Sequence, residues 1–446
     1  MPTPLYDRLV ALSHQPLTRL DMPGHHGHPA PGLEFWPAHL DVTEHPATGD
    51  LFDPEEGDPI VAAQDLWAKA VGMDRCLFLT GGSTQGIHAA LALTAGVGSE
   101  VLLDRGSHRA VFNALALLDL TPHYLPRPWL EEEGVTGPIQ PQEVERGLQE
   151  HPNVKTVCIT SPTYYGVLSD LPAIAAVCHR YGAKLMVDGA HGAHLPFLGY
   201  TGYQSADVVV VSAHKTLPAP GQTALLLAQG YTGDDLRRVA ALYGTSSPNY
   251  VMMAALDVVR DYLEGAGRQA YTETARLVEN FRAAHPALRP VGVELDPTRL
   301  VLKCGDGYGV ARTLMERGIY YEMADSGHVV LIFTCADGPR TVDALTAALA
   351  GVELGGGSPL PPPPPPPPQV MSPRQALFAP TESVAWAQAE GRVCACQLAP
   401  YPPGIPVVAP GEKVDKKHLA YLAQIGYNTG SIQVVHNHWP SKGEIL

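Results

Sequence analysis

Between about residues 74 and 227 the sequence alternates short apolar runs with helical segments, and this alternation restricts the fold more than any other feature. Helices are predicted from the Gly81–Thr84 turn to Thr94, from the segment after Asp104 through Leu117, and over 171–181. Apolar, β-branched runs that alternate with helices predict a mostly parallel sheet covered by helices on both faces, an α/β fold. Ligands of such sheets bind at the carboxyl ends of the strands. The predicted strands are Cys76–Thr80, Glu100–Asp104, Thr156–Thr160, Lys184–Asp188 and Asp207–Ser212.

A run of eight prolines, Pro361–Pro368, marks the clearest boundary in the chain. Such a run forms an extended polyproline II segment, which serves as a spacer or as a ligand for a binding module. We favour the spacer, because sequence of globular character resumes at Met371. A chain of 446 residues is too long for one core. The predicted organisation is an N-terminal arm (1–60), a large domain (61–265), a small domain (266–354), a linker (355–369) and a C-terminal domain (370–446).

The charge balance excludes one class of partner. Thirty basic and 45 acidic residues leave a formal charge of −15, which argues against nucleic-acid binding and is compatible with a small cationic ligand. No apolar run is long enough to span a bilayer, and no signal-peptide pattern is present. The seven cysteines have neither zinc nor CxxC spacing. These features predict a cytoplasmic protein with reduced thiols and no membrane partner.

The segment Gly81–Thr84 follows one predicted strand and opens a helix. Small residues let the backbone approach an anion, and the helix start supplies unpaired N–H groups and positive dipole charge. Gly82, Ser83 and Thr84 are therefore candidates for binding a phosphate, although Gly-Ser turns before helices are also common without one.

A second group of polar residues follows the strand that ends at Asp188. The loop Asp188–His194 contains one acid and two imidazoles. The acid is either an ordinary turn residue or a carboxylate that keeps a buried heterocyclic nitrogen protonated. The loop has no regular metal-ligand spacing and no nearby cysteine, so no metal is predicted.

A lysine, Lys215, follows the apolar run Val208–Val211. A charged lysine at the end of a buried strand is costly, so it either extends outward to solvent or forms an imine with an aldehyde cofactor. Ser212 and His214 beside it are further donors for a phosphate.

Together these motifs resemble the fold-type-I enzymes that use pyridoxal phosphate (PLP), and more closely the Orn/Lys/Arg decarboxylase family in its short form, without an N-terminal wing domain. The resemblance implies PLP as cofactor, a small α+β domain, a C-terminal α+β domain and a homodimer or larger oligomer with shared sites. It also implies decarboxylation of a basic amino acid, arginine first and then lysine or ornithine, for polyamine synthesis. The similar segments are Pro23–His25, Leu79–Ile87, Thr160–Gly166, Val187–His194, Ser212–Pro218, Thr245–Tyr250, Tyr401–Pro406 and Pro410–Glu412.

The resemblance also implies a role for individual residues. Lys215 forms the imine with PLP, Asp188 pairs with the pyridine nitrogen, and His108 stacks on the ring. His191 reaches the 3′-oxygen. Phosphate is bound by Gly82, Ser83, Thr84, Ser212 and His214, and by Ser246 of the neighbouring subunit.

The chain departs from the family pattern at three positions. Gly106 replaces an asparagine and Gly189 a glutamate, and neither change removes a cofactor-binding group. Cys396 stands where an acid facing the substrate is expected. Another carboxylate, Glu412, is then expected to supply negative charge for the substrate.

Two rival functions remain open at this point. A PLP-dependent aminotransferase or lyase has the same fold, because a fold does not determine a reaction; Arg299 is the small-domain arginine available to bind an α-carboxylate. The second rival function is that of an interaction protein without catalytic activity, which binds its partner through the proline run. The presence of both Lys215 and Asp188 argues against it.

Overall fold

The computed structural model describes residues 2–357, 361–400 and 405–437. Part of the predicted C-terminal signature, Tyr401–Gly404, lies outside the described residues, as does the predicted domain end at 438–446. The helices are α1 Pro4–Ser13, α2 Pro59–Val71, α3 Gly82–Thr94, α4 Arg109–Leu117, α5 Pro141–Glu150, α6 Leu171–Arg180, α7 Ala213–Thr216, α8 Gly233–Ala240, α9 Tyr250–Tyr262, α10 Arg268–Ala284, α11 Gly307–Glu316, α12 Pro339–Ala348, α13 Pro373–Phe378 and α14 Lys416–Gln424. The strands are β1 Arg75–Leu79, β2 Glu100–Asp104, β3 Thr121–Leu125, β4 Trp129–Leu130, β5 Val135–Thr136, β6 Thr156–Thr160, β7 Lys184–Asp188, β8 Val208–Val211, β9 Ala224–Ala228, β10 Arg299–Lys303, β11 Met323–Ala324, β12 His328–Ile332, β13 Thr381–Ala385 and β14 Ser431–Val435.

The five predicted strands are present as β1, β2, β6, β7 and β8, and the predicted helices as α3, α4 and α6. The chain forms two compact units, one with residues up to Leu93, Val187–Thr274 and Thr334–Ala336, the other with Thr94–Met186, Ala275–Phe333 and the residues from Asp337 onward. Strand β7 begins in the second unit and ends in the first. Each unit is built from separate stretches of the chain.

The first unit contains strands in the order β1-β9-β8-β7. Strand β9 runs antiparallel to both β1 and β8, so the sheet is mixed, and this strand was not predicted. An apolar run such as Ala224–Ala228 is buried on both faces whichever way it points, and its pattern therefore carries no information on direction. Helix α1 is held by the buried Asp257 of α9, whose carboxylate accepts from the N–H groups of Leu5 and Tyr6 at 2.9 and 3.2 Å.

The second unit contains strands in the order β7-β6-β2-β3, with β2 parallel to both of its neighbours. It also contains the antiparallel sheet β10-β12-β11 and, in the C-terminal segment, the pair β13-β14 with its own apolar core. Within this unit the proline run lies against the C-terminal segment. His418 Nε2 bonds to the carbonyl of Pro365 at 2.8 Å, and the N–H of Lys413 to that of Pro368 at 3.0 Å.

Across the described part of the chain, no helix combines the length and the hydropathy that a membrane crossing requires.

Candidate active site

The first unit brings the predicted imine lysine next to the Asp188 loop. Lys215 lies in the short helix α7, directly after β8. The N–H of Gly189 donates to the carbonyl of Val210 at 2.8 Å, which fixes the start of the loop beside the end of β8. Lys215 Nζ is then 3.3 Å from His191 Nε2. Two motifs 24 residues apart in sequence thus form one site.

Asp188 is buried, with 1% of its surface exposed, and its Oδ1 accepts from the N–H of Ala190 at 3.1 Å. The structure also explains why a glycine follows it. A Cβ on Gly189 would lie 2.9 Å from the hydroxyl oxygen of Tyr203, a ring that is itself buried. Tyr203 therefore fills the space into which a side chain at residue 189 would extend, and this relation had no signal in the sequence.

The predicted phosphate site lies at the start of α3. Gly82 opens this helix with a φ of 71°, a conformation that favours glycine. A Cβ on Gly86 would lie within 2.7 Å of both Leu79 and Val210, so a glycine here lets α3 rest directly on β1 and β8. A Cβ on Gly82 would lie 3.6 Å from the carbonyl oxygen of Gln222, in the loop between α7 and β9. The helix start, with Ser83 and Thr84, therefore faces the segment that follows Lys215.

Two further side chains of the first unit, Ser212 and His214, are positioned to bind an anion. The hydroxyl of Ser212 is fully buried and has no hydrogen-bond partner among the described residues. His214 Nδ1 lies 2.9 Å from the carbonyl oxygen of Thr223; since a carbonyl only accepts, Nδ1 carries a proton, and Nε2 can donate to a phosphate when it carries the second proton of the imidazolium form. A buried hydroxyl without a partner is costly unless a ligand supplies one. The residues present therefore fit the phosphate of PLP. Ser246, the residue predicted to act in the neighbouring subunit, is exposed in this unit.

His108, predicted to stack on the cofactor, belongs to the second unit. It is the N-cap of α4, and its Nδ1 accepts from the N–H of Ala110 at 3.2 Å, so the neutral ring carries its proton on Nε2. The loop before it is fixed by a buried ion pair. Arg127 donates to both carboxylate oxygens of Asp104 at 2.9 and 2.6 Å.

Glu412 also belongs to the second unit, and its partner is an arginine that lies 307 residues earlier in the chain. Arg105, three residues before His108, donates to its two oxygens at 2.6 and 2.9 Å and to the carbonyl of Val407 at 2.9 Å. The N–H of Ala409 donates to Glu412 at 2.7 Å. Burial raises the pKa of Glu412 while Arg105 opposes that shift. Its carboxylate is thus engaged in holding the His108 loop.

Cys396, the residue expected to be an acid, is half-buried in the C-terminal segment. Its Sγ is 3.9 Å from that of Cys394. The hydrogen bond from Cys394 lowers the pKa of Cys396 to about 7, against the opposing effect of burial. At neutral pH this thiol is therefore partly a thiolate.

Arg299, the candidate clamp of the rival aminotransferase, is buried at the start of β10. Its Nη1 donates to the carbonyl of Tyr164 at 2.8 Å, and its Nη2 lies 3.9 Å from Asp296. A Cβ on Gly166 would lie 2.8 Å from the Cβ of Arg299. Arg299 thus connects the loop after β6 to the small antiparallel sheet.

Comparison with known proteins places these features in a family. The model of the Orn/Lys/Arg decarboxylase major domain matches residues 3–292, and that of the Orn/Lys/Arg decarboxylase C-terminal domain matches residues 365–429. An arginine decarboxylase of Bacillus subtilis (strain 168) is 28% identical, with 94% of this chain and 93% of that protein covered. Among solved structures, the Francisella novicida lysine decarboxylase LdcF aligns with a TM-score of 0.83 at 20% identity, over 97% of this chain and 81% of that one.

More distant structures share the fold alone. L-threonine transaldolase from Pseudomonas fluorescens aligns with a TM-score of 0.55 at 15% identity, over 68% of this chain and 75% of that one. The predicted fold class and the predicted cofactor, PLP, are therefore confirmed. The chain belongs to the Orn/Lys/Arg decarboxylase family of PLP-dependent amino acid decarboxylases.

Proposed function

We propose that this chain decarboxylates L-arginine to agmatine and CO₂, with lysine and ornithine as weaker substrates. The observation that carries the reaction is the position of Lys215, at the end of β8 and 3.3 Å from His191, in the unit that also contains the α3 start. The choice of arginine rests on relatives named arginine decarboxylase, which resemble this chain over almost its whole length.

The proposed roles follow from the contacts of each residue. Ser212, His214 and the start of α3 bind the phosphate, and Lys215 anchors the aldehyde. The carboxylate of Asp188, in its buried position, keeps the pyridine nitrogen protonated, because a nearby negative charge favours the charged form of a base. His108, fixed by its own N-cap bond, covers the ring.

When bound, PLP accepts the electron pair that decarboxylation leaves on the substrate. The protein supplies orientation and a proton. We assign proton delivery to Lys215 Nζ, freed once substrate has bound, with His191 Nε2 as the adjacent group that exchanges protons with it.

Recognition of the cationic side chain is proposed for Cys396. With a pKa of about 7, the thiol supplies part of the negative charge that an acid supplies at this place in the family pattern. Glu412 is left out of this role, because Arg105 already engages both of its oxygens. The formal charge of −15 favours the approach of a cation at long range.

The test is a panel of arginine, lysine, ornithine and the neutral amino acid leucine, assayed for CO₂ release by the PLP-loaded enzyme. We expect the highest kcat/KM for arginine and no release from leucine, with keto-acid formation absent throughout. A preference for lysine overturns the ranking alone. A preference for leucine, or keto acid as the main product, overturns the proposal.

We further propose a cytoplasmic homodimer that serves polyamine synthesis, with Ser246 completing the phosphate site of its partner subunit. The exposure of Ser246 supports this arrangement. Mixing an inactive Lys215→Ala chain with a Ser246→Ala chain of low activity is expected to restore activity through hybrid dimers. A fully active monomer contradicts the proposal.

A further inference from the structure

A second cluster of ionisable side chains lies in the second unit, at the amino-terminal side of its strands. It consists of Glu100, the first residue of β2, His123 of β3 and His151, the C-cap of α5. Asp104, which precedes the His108 loop, is at the opposite end of β2. The cluster is therefore not part of the strand-end chemistry described above.

The fold explains why these three residues meet. Strands β2 and β3 are parallel, with Leu102 opposite His123, so Glu100 and His123 lie diagonally on one face of the sheet. Helix α5 covers that face. A Cβ on Gly147 would lie 2.8 Å from Leu102, so a glycine lets the helix rest on β2. His151 follows Gly147 by one helical turn and its N–H donates to the Gly147 carbonyl, which places the imidazole over His123.

The geometry brings three metal-binding groups together. His123 Nε2 is 2.8 Å from Glu100 Oε2. The rings of His123 and His151 are stacked, with centroids 3.5 Å apart and planes 17° from parallel. One ligand atom from each of the three residues lies within 4.8 Å of the other two. Asn153 Nδ2 also lies 3.4 Å from Glu100 Oε1, as an outer partner that orients the carboxylate.

We propose that Glu100, His123 and His151 form a binding site for a divalent transition metal, zinc in the first instance. Two imidazoles and one carboxylate are a donor set that zinc uses when a fourth position is left to water. Ligand atoms around tetrahedral zinc lie about 3.3 Å apart. The distance between Glu100 Oε2 and His123 Nε2, 2.8 Å, is already close to that value. Rotation of the partly exposed His151 ring brings one of its nitrogens into the coordination shell of the metal.

The electrostatics of the cluster agree with this assignment. The carboxylate of Glu100 lies within hydrogen-bond distance of two side chains, His123 and Asn153. A divalent metal bound by Glu100 and His123 displaces to solvent the proton that lies between them and supplies two positive charges in its place.

The site has a structural consequence. Strand β3 is the outer strand of the order β7-β6-β2-β3, and outer strands are the part of a sheet most open to fraying or mispairing. A metal bound by residues of β2, β3 and the end of α5 links β3 to the adjacent strand β2 and to helix α5. Zinc is therefore expected to stabilise the folded chain by mass action, whatever the reaction that the enzyme performs.

The experiment uses tag-free, PLP-loaded enzyme stripped of metal with EDTA and titrated with zinc by calorimetry. We expect one site per chain and a rise in Tm. Cobalt is expected to give the visible absorption bands of a tetrahedral site. Each of Glu100→Gln, His123→Asn and His151→Gln is expected to weaken zinc binding at least tenfold, with the circular dichroism spectrum unchanged.

Two controls separate this site from other metal ligands. His285→Gln, a change at an imidazole stacked on Phe281, and Cys396→Ser are both expected to leave zinc affinity unchanged. No zinc binding by the intact enzyme refutes the proposal. It is refuted equally if binding survives all three ligand substitutions or disappears in Cys396→Ser. His151→Gln, at an accessible helix end, keeps the test informative if His123→Asn does not fold.

Discussion

Individual buried polar groups of the two units differ in what compensates them. In the second unit two buried carboxylates are bound by arginines of the same chain, Asp104 by Arg127 and Glu412 by Arg105. In the first unit the hydroxyl of Ser212 is buried without a hydrogen-bond partner among the described residues, and Lys215 Nζ lies 3.3 Å from His191 Nε2.

This difference distinguishes polar groups that stabilise the fold from polar groups whose hydrogen-bond partner is a ligand. A carboxylate bound on both oxygens by an arginine has its negative charge compensated within the protein. A buried hydroxyl without a partner destabilises the protein unless a ligand compensates. By this criterion we assign Glu412 to positioning the His108 loop and propose Ser212 as a cofactor-binding residue.

The largest effect is expected at Lys215. Lys215→Ala should lower kcat by at least about 10³-fold, because the removed group is the nucleophile, and the visible colour of bound PLP should be lost. The circular dichroism spectrum should not change. The exposed Lys69 of α2 is the matched control, and Lys69→Ala should keep both colour and activity. A Lys215→Ala enzyme that remains active and yellow would contradict the assignment of the catalytic lysine to the first unit.

The next largest effect is expected from breaking the Arg105–Glu412 pair. Glu412→Leu leaves the Arg105 guanidinium buried without its partner and should reduce the free energy of unfolding by about 3 kcal/mol, measured by urea denaturation. Arg105→Met combined with Glu412→Leu should recover much of this loss, because no uncompensated charge remains. If Glu412→Leu instead raises the KM for arginine and leaves the stability unchanged, Glu412 binds substrate. The distinction drawn between the two kinds of buried group is then wrong.

A smaller effect is expected at Ser212. Ser212→Ala removes one hydrogen bond to the charged phosphate, worth about 1.5–3 kcal/mol, and should weaken PLP binding by roughly 10- to 100-fold. Fluorescence titration of the apoenzyme with PLP measures this change. Ser13→Ala, which removes a hydroxyl bonded to a carbonyl in α1, should leave the affinity unchanged. An unchanged Kd for Ser212→Ala would mean that its buried hydroxyl has another purpose.

The smallest effect concerns Cys396, a second-unit group that no arginine pairs with among the described contacts. A thiol with a pKa of about 7 is roughly half ionised at pH 7, whereas an ordinary thiol is about 3% ionised. Because a less basic thiolate is also less nucleophilic, we expect alkylation only about threefold faster than that of free cysteine. Cys394→Ala should raise the pKa and shift the midpoint of the alkylation rate to higher pH. A midpoint near 9 in the intact enzyme contradicts the assignment.

Most of the strand-end chemistry was predictable from the sequence because it is local. Strands β1, β2, β6, β7 and β8 follow from runs of adjacent apolar residues. The candidates Asp188 and Lys215 come directly after two of them. Helix α3 begins where small residues and hydroxyls follow a strand. In each case the physical signal lies within a few residues of the group that it identifies.

The features that escaped prediction depend on contacts between distant residues. Strand β9 is antiparallel to its neighbours because of the path of the chain, and an evenly apolar run has no polarity pattern to reveal it. Gly189 lacks a side chain because the Tyr203 ring occupies that space. Glu412 accepts hydrogen bonds from Arg105, 307 residues earlier.

By itself, the sequence determined the alternation of strands and helices, the cofactor loops and the family, since these depend on short-range patterns of polarity and residue size. The tertiary structure alone decided the partner of each buried charge. Removing a charge from water is costly, and whether an arginine, a histidine or a ligand compensates that cost depends on which parts of the chain the fold brings within about 3 Å. For this reason the pairing of Glu412 with Arg105, and the cluster of Glu100, His123 and His151, are visible only in the fold.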